Sequence, residues 1–421
     1  MGRTGWAAAV VILVLALFTR NSLIFTMALI LGLLGLVVWL WSRYSLSEVT
    51  YHRRFGVERL FFGEETDLRL EVTNAKPLPL AWLRCEDDIP TALDLKPDER
   101  ARHFLPSRRV LVNLFSLGLY QRVIRRYTVT GTQRGAWRFG PVQLVCGDIF
   151  GFRSQFRDFS DTTLLLVYPR VYALPELGLD ARHPFGDYQS RNRLIDDPLR
   201  VSGVREYLPG DNFRHIHWKA TARRQELQTK QFEPSASRPL AIFINIRTFN
   251  HRFEGIDPAL REFAISAGAS LARWAQLRGD AFGVFANSMM YAGQRVRILP
   301  GAHPKQLTRV LEALAYCVGV PHTTIERVLL QEADHLRNGT SIVLISATLS
   351  DSLRRVLADL QRRGFAVTLL GIGGLTLERA IPGVAFQQLS EQALSDLSSV
   401  AEQEMPEVEA PVPAGKMPGV S

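Results

Sequence analysis

Asp211, His215, His217 and Trp218 fall within eight residues of one another in the stretch YLPGDNFRHIHWKATARRQEL, residues 207–227. Carboxylate and imidazole are the groups that ligate a divalent metal or carry a proton at neutral pH. Metal-dependent hydrolysis by Asp211, His215 and His217 is therefore one reading of the cluster. Geometry argues against it on a helix: residues two apart diverge by about 200°, whereas zinc-binding histidine pairs on helices stand four apart. On a strand the two rings would share a face, so the conclusion depends on the backbone. A general base also needs a nucleophile within reach, and Ser202, Ser235 and Ser237 lack the tight glycine-flanked turn that exposes one.

The favoured reading is structural. Pro209 and Gly210 suit a tight turn, and Asp211 then stands where a carboxylate caps a helix of residues 212–224. On that helix Phe213, Ile216 and Ala220 share one face and Arg214, Trp218 and Ala222 another, with Ile216 and Trp218 expected to be buried. The segment then works as a packed joint, with no metal, no cofactor and no catalysis.

The elements that must position this joint are read from composition and periodicity. The 421 residues carry a net charge of +9, and 44 of the 50 basic residues are arginine. A basic balance suits anionic lipid, nucleic acid or an acidic protein face. Residues 191–238 hold ten cations against six carboxylates, but without the aromatic interleaving of single-strand binders, so nucleic acid is not favoured. Cys85, Cys146 and Cys317 are too scattered for a disulfide framework or a zinc site and read as reduced thiols.

Two apolar runs open the chain, WAAAVVILVLALF at 6–18 and LIFTMALILGLLGLVVWLW at 23–41. The second has 19 residues without a charge, enough for a ~30 Å hydrocarbon layer. Arg3, Arg43, Arg53 and Arg54 flank the pair against Arg20 alone in the turn. A transmembrane hairpin in the inner membrane is expected, with both termini and the bulk of the chain in the cytoplasm.

Residues 46–170 alternate apolar and polar with frequent turns, as in TDLRLEVTN with Leu68, Leu70 and Val72 on one face. That predicts an antiparallel β-sandwich of immunoglobulin-like kind. Residues 171–238 form a loop-rich connecting segment that contains the joint. From 239 to 400 strands and helices alternate, starting with the apolar run PLAIFINI and the helical pattern PALREFAISAGASLARWAQLRG, which predicts an α/β domain with a mainly parallel sheet. Residues 401–421 are acidic, proline-rich and without apolar periodicity, and read as an unstructured tail; residues 1–45 hold the hairpin.

The stretch VREYLPGDNFRHIHWKATARRQEL, with RGAWRFGPVQLVCGDIFGF and LLVYPR before it, resembles the bacterial and archaeal family called domain of unknown function fifty-eight. The matching positions are Arg205, Tyr207, Pro209, Gly210, Asp211, Arg214, Ile216, Trp218, Lys219, Ala222 and Arg223. The resemblance implies a C-terminal domain similar to the von Willebrand factor A domain. There a magnesium ion is typically held by an Asp-x-Ser-x-Ser loop, but this chain has Asn245, Arg247 and Phe249 at those places and Ala347 where a later carboxylate is expected, with Asp351 nearby. The metal site is expected to be degenerate. Proteins of this kind are associated with MoxR-type AAA+ ATPases, which implies a membrane-anchored adaptor or assembly factor. For Arg214, Lys219 and Arg223 the first reading is structural, as cations free to pair with Asp211 or Glu206, and partner docking is the sharper alternative.

Overall fold

The computed structural model describes residues 22–97, 100–102, 108–147, 154–180, 184, 196–208, 211, 213–234, 239–249, 255–291, 293–337, 339–377 and 379–390. The expected first membrane helix at 6–18, most of the connecting segment from 181 to 195, Pro209 and Gly210, and the tail at 401–421 lie outside them. The chain divides into two compact units, Met1–Tyr168 and Pro169–Ser421.

The first described element of the first unit is α1 (Ser22–Tyr44), which leaves Leu23, Met27, Ile30 and Leu33 exposed. Among the described residues no helix is long and apolar enough to cross a membrane. The side chains of Ser22, Ile24, Ala28 and Ser42 in α1 fall outside those residues.

Twelve strands follow: β1 (Val49–Phe55), β2 (Arg59–Leu60), β3 (Glu65–Asn74), β4 (Leu80–Pro90), β5 (Asp94–Lys96), β6 (Arg100–Arg102), β7 (Arg108–Leu117), β8 (Arg122–Thr130), β9 (Gly135–Phe139), β10 (Val142–Gly147), β11 (Ser154–Phe159) and β12 (Thr163–Val167). They form sheets of order β1-β3-β8-β5, β11-β10-β4-β7-β6 and β2-β12-β9. Alternation decides which side chains meet. Leu68, Leu70 and Val72 of β3 are fully buried and join Leu83 and Cys85 of β4, Leu111 of β7 and Leu144 of β10 in one cluster. Two sheets sharing one apolar layer make a β-sandwich.

A buried ion pair crosses that layer. Arg53 of β1 donates through Nε to Asp87 Oδ2 of β4 at 2.9 Å and pairs with Oδ1 through Nη2, while the Tyr51 hydroxyl donates to Oδ2 at 2.7 Å. The remaining guanidinium nitrogen, Arg53 Nη1, donates to the Phe139 carbonyl at 2.9 Å. Three donors on one carboxylate are what keeps a charge tolerable away from water.

In the second unit β13 (Asp196–Glu206) and β14 (Gln228–Pro234) make an antiparallel hairpin, and the segment between them carries α2 (Trp218–Arg224). The expected continuous helix over 212–224 is not formed. Phe213–His215 is a single 3-10 turn, and Ile216 then pairs with Thr229 as a bridge. That pairing demands extended backbone at Ile216, so tertiary contact overrides local helix preference.

The remainder is β15 (Leu240–Ile244), α3 (Pro258–Arg278), β16 (Phe282–Met290), β17 (Arg295–Gly301), α4 (Gln306–Ala315), β18 (Cys317–Pro321), α5 (Ile325–Ala333), β19 (Ser341–Ser346), α6 (Asp351–Arg362), β20 (Ala366–Gly371) and β21 (Val384–Gln388). Their sheet runs β17-β16-β15-β19-β20-β21, with β18 pairing β16 off that path. The five strands from β16 to β21 are mutually parallel and β17 is antiparallel. Strands β18 and β21 were not expected from the sequence.

Both faces of β15 are buried because helices cover both. Ala241 and Phe243 face Leu329 of α5 and Leu357 of α6. Ile244 faces α3, which approaches so closely at Gly268 that an added Cβ would stand 2.5 Å from Ile244 Cδ1. The α3 ends follow the capping rules: Asp257 accepts from the Ala259 and Leu260 amides, and Gly279 closes the helix with a left-handed φ of 73°.

Candidate functional site

The signature residues gather on the β13–β14 hairpin. β13, β14 and α2 pack chiefly on one another, so few side chains there can be sequestered. Ile216 is buried at 2% exposure, but Trp218 is 67% exposed, which overturns its expected burial. Phe213, Leu208 and Leu227 of the same segment are also exposed, and Tyr207 packs its ring 5.5 Å from that of Phe213. Arg214, Lys219, Ala222, Arg223 and Arg224 are exposed on the same short segment. Exposed apolar side chains and exposed cations thus share one short segment.

Asp211 does not cap α2, contrary to the sequence expectation. Arg205 Nη1 and Nη2 donate to Asp211 Oδ2 and Oδ1, both at 2.8 Å, and the Leu208 amide donates to Oδ2 at 3.0 Å. A bidentate guanidinium outcompetes helix amides for a carboxylate. The cap is His217, whose Nδ1 accepts from the Ala220 amide at 3.1 Å, while its own amide donates to the Gln228 carbonyl. Thr221 Oγ1 accepts from the Gln228 amide at 3.0 Å, fastening α2 to β14. The hydrolytic reading therefore meets a carboxylate and an imidazole nitrogen already committed to the hairpin. No group of three His, Cys, Asp or Glu side chains among the described residues could hold a metal ion.

Asp211 is held below the usual carboxylate range, first by the Arg205 guanidinium and then by the Leu208 amide. A depressed folded value gives a contribution that is complete above the unfolded pKa of about 4 and lost as pH falls through the lower folded one. The turn is expected to stay closed from pH 8 to 5 and to open only in stronger acid. Asp211→Asn should lower the protection factor of the Leu208 amide several-fold at pH 7 and abolish its further fall in acid, measured by NMR hydrogen exchange against the intrinsic rate at each pH.

A second polar cluster lies where the parallel sheet reverses its strand order, between β15 and β19. Ligands of open α/β sheets bind outside the carboxyl ends of the strands at such a point. Asn245 Nδ2 donates to Ser346 Oγ at 2.9 Å, and Asn245 Oδ1 accepts from Asn287 Nδ2 at 2.9 Å and from the Arg247 amide at 3.2 Å. Asn287 Oδ1 accepts from the Ile246 amide at 2.8 Å. The amides thus close on themselves.

Above them a recess of about 30 Å³ is lined by Arg247, Thr324, Glu326, Thr348 and Ser350, which is room for a water or two rather than a substrate. Glu326 accepts from the hydroxyls of Ser350 and Ser352, both at 2.8 Å. Burial pushes its carboxyl up, but its own amide, the two serines and the Arg247 charge outweigh that and leave it lowered. Phe249 is partly exposed, and Ala347 lies just after β19 with Asp351 opening α6. Glu326 and Asn287 join this cluster from positions that spacing around residues 245–249 could not reveal.

Comparison with known proteins gives a limited set of likenesses. The chain is 27% identical over 206 residues to the uncharacterized protein YeaD of Bacillus subtilis (strain 168), covering 48% of this chain. It spans 49% of that relative's length. Among solved structures, the CARDB domain of a Pyrococcus furiosus protein aligns at 11% identity and a TM-score of 0.20, covering 28% of this chain and 91% of that one. A non-cellulosomal cohesin from Archaeoglobus fulgidus aligns at 11% identity and 0.20, covering 29% and 91%. At that level neither assigns anything to this chain. Residues 203–392, which run from the hairpin to beyond the last parallel strand and so contain both clusters, match the family described as "Protein of unknown function DUF58".

Proposed function

We propose that this protein is a membrane-anchored adaptor or assembly factor that engages a MoxR-type AAA+ ATPase through the hairpin surface and performs no chemistry of its own. The observation that carries the reading is the exposure of Trp218 at 67%, on a short segment where Phe213, Leu208, Leu227 and several cations are exposed as well. A tryptophan flanked by cations is the residue pattern that dominates binding energy in protein interfaces. On this reading α1, whose apolar side chains stand exposed, belongs to the membrane anchor, and the parallel sheet is a von Willebrand factor A-like body. Its metal positions are filled by Asn245, Arg247, Phe249 and Ala347, a set that replaces ligand oxygens with amide, guanidinium, phenyl and methyl groups.

The test is recovery of the full-length chain from native membranes after crosslinking at the hairpin. An AAA+ ATPase is expected on the wild-type chain, and Trp218→Ala is expected to weaken the isolated pair by about 30-fold, the effect of a ~2 kcal/mol interface residue. Crosslinked material free of any such ATPase, or Trp218→Ala binding as tightly as wild type, overturns the reading.

A further inference from the structure

The hairpin surface is basic and apolar at once, and the same chain holds a segment of opposite character. Residues 402–409, EQEMPEVE, place Glu402, Glu404, Glu407 and Glu409 around Met405 and Val408 without a single cation. Over residues 391–421 there are six carboxylates and one lysine, in a chain whose net charge is +9. Acidic charge is therefore concentrated beyond the last described residue, Ser390, while the hairpin concentrates exposed arginine and lysine. We propose that residues 402–409 dock on the hairpin surface around Trp218, occupying in the free protein the site at which a partner binds; the proposal rests on the reading of that surface as a docking site.

Reach and affinity both allow it. Ser390 is tied to the second unit by its amide, which donates to the Leu177 carbonyl at 3.0 Å. The residues from there to Glu402 extend to about 40 Å at ~3.3–3.6 Å each, against a radius of gyration of roughly 17 Å for a body of this size. A tether of that length reaches over a large part of the unit's surface from Ser390. A tether of this length gives an effective concentration near the millimolar range, so a contact too weak to hold between separate molecules is populated within one. Glutamates pairing with Lys219, Arg223 and Arg224, with Met405 and Val408 against Trp218 and Phe213, supply both halves of the match. Pro406 restricts the unbound segment and lowers the entropy lost on docking.

The experiment uses the full chain purified without any other protein. Leu227→Cys is combined with Val408→Cys, and the rate of disulfide formation is compared with that of Leu277→Cys with Val408→Cys. Leu227 and Leu277 are both exposed, and the three native thiols are buried. The hairpin pair is expected to close about tenfold faster or more at ~0.1 M salt, because docking raises the local concentration of residue 408 at the hairpin above that at an undocked position on the same tether. The advantage should vanish at ~1 M, where charges are screened beyond ~3 Å, and also on adding Arg223→Glu with Arg224→Glu. Equal rates for the two pairs, or a hairpin rate indifferent to salt and to charge reversal, overturn the proposal. Because no ATPase is present, that failure is distinct from failure of the adaptor reading, which is decided by crosslinking in membranes.

Discussion

Asp87→Ala is expected to destabilise the β-rich unit by about 3–5 kcal/mol, the cost of leaving a buried partner charge without its counterion. Arg53 and Asp87 have side chains only 3% and 1% exposed. Once the carboxylate is gone, the guanidinium keeps the Phe139 carbonyl and the Thr163 hydroxyl at 3.5 Å, and neither carries charge. Tyr51 loses its acceptor as well. Because β1 and β4 belong to different sheets, the lesion falls on the layer that joins them.

The loss should appear as a lowered urea midpoint and faster hydrogen exchange in β1 and β3 of the full chain, with the parallel sheet of the second unit unaffected. Arg53→Met combined with Asp87→Leu should recover most of the loss, since replacing both charges by apolar groups removes the unpaired cation as well as the pair. A single substitution as mild as the double one would show that water reaches Arg53 and that the pair is dispensable.

The contrast between that pair and the signature segment shows what a sequence makes visible. Leu68, Leu70 and Val72 alternate with polar residues and are all fully buried, because a strand with one covered face leaves no other choice. The apolar run at Leu240–Ile244 and the Asp257 and Gly279 caps of α3 are similarly legible, since each is set by local chemistry.

The hairpin was not. Asp211 could serve helix amides or a guanidinium six residues earlier in the chain, and only the fold brings Arg205 within 2.8 Å. Histidine is a poor signal for a helix cap, so His217 gave no hint of that role. Trp218 was expected inside because it is large and apolar, yet a hairpin with one short helix has little interior to offer it. Strands β18 and β21 were missed because five residues with a glycine or two glutamines carry almost no periodicity. Where local preference and tertiary demand disagree, the disagreement falls on the surface proposed for docking.

The switch point of the parallel sheet yields the second large effect. Asn245→Asp puts a carboxylate where the amide stands, at 3% exposure, the ligand that the proposed von Willebrand factor A-like reading would expect there. The Nδ2 donor to Ser346 is lost, and that hydroxyl already donates to the Thr348 carbonyl at 2.6 Å. The new oxygen therefore faces an acceptor. A cost of about 3–5 kcal/mol is expected for a charge buried against an acceptor.

The sign with pH follows from burial, which raises the folded pKa of the introduced carboxyl above its unfolded value near 4. The penalty is small below the unfolded pKa and grows as pH rises through the folded one, so the variant should lose more stability at pH 8 than at pH 5. Millimolar magnesium is expected to restore nothing. A hard dication needs about six oxygens, and the Arg247 guanidinium adjoins the same recess. Thermal unfolding of the variant with and without magnesium at the two pH values measures both effects. A magnesium-dependent rise in Tm would mean that one substitution separates this recess from a working metal site, and that the arginine is no obstacle to it.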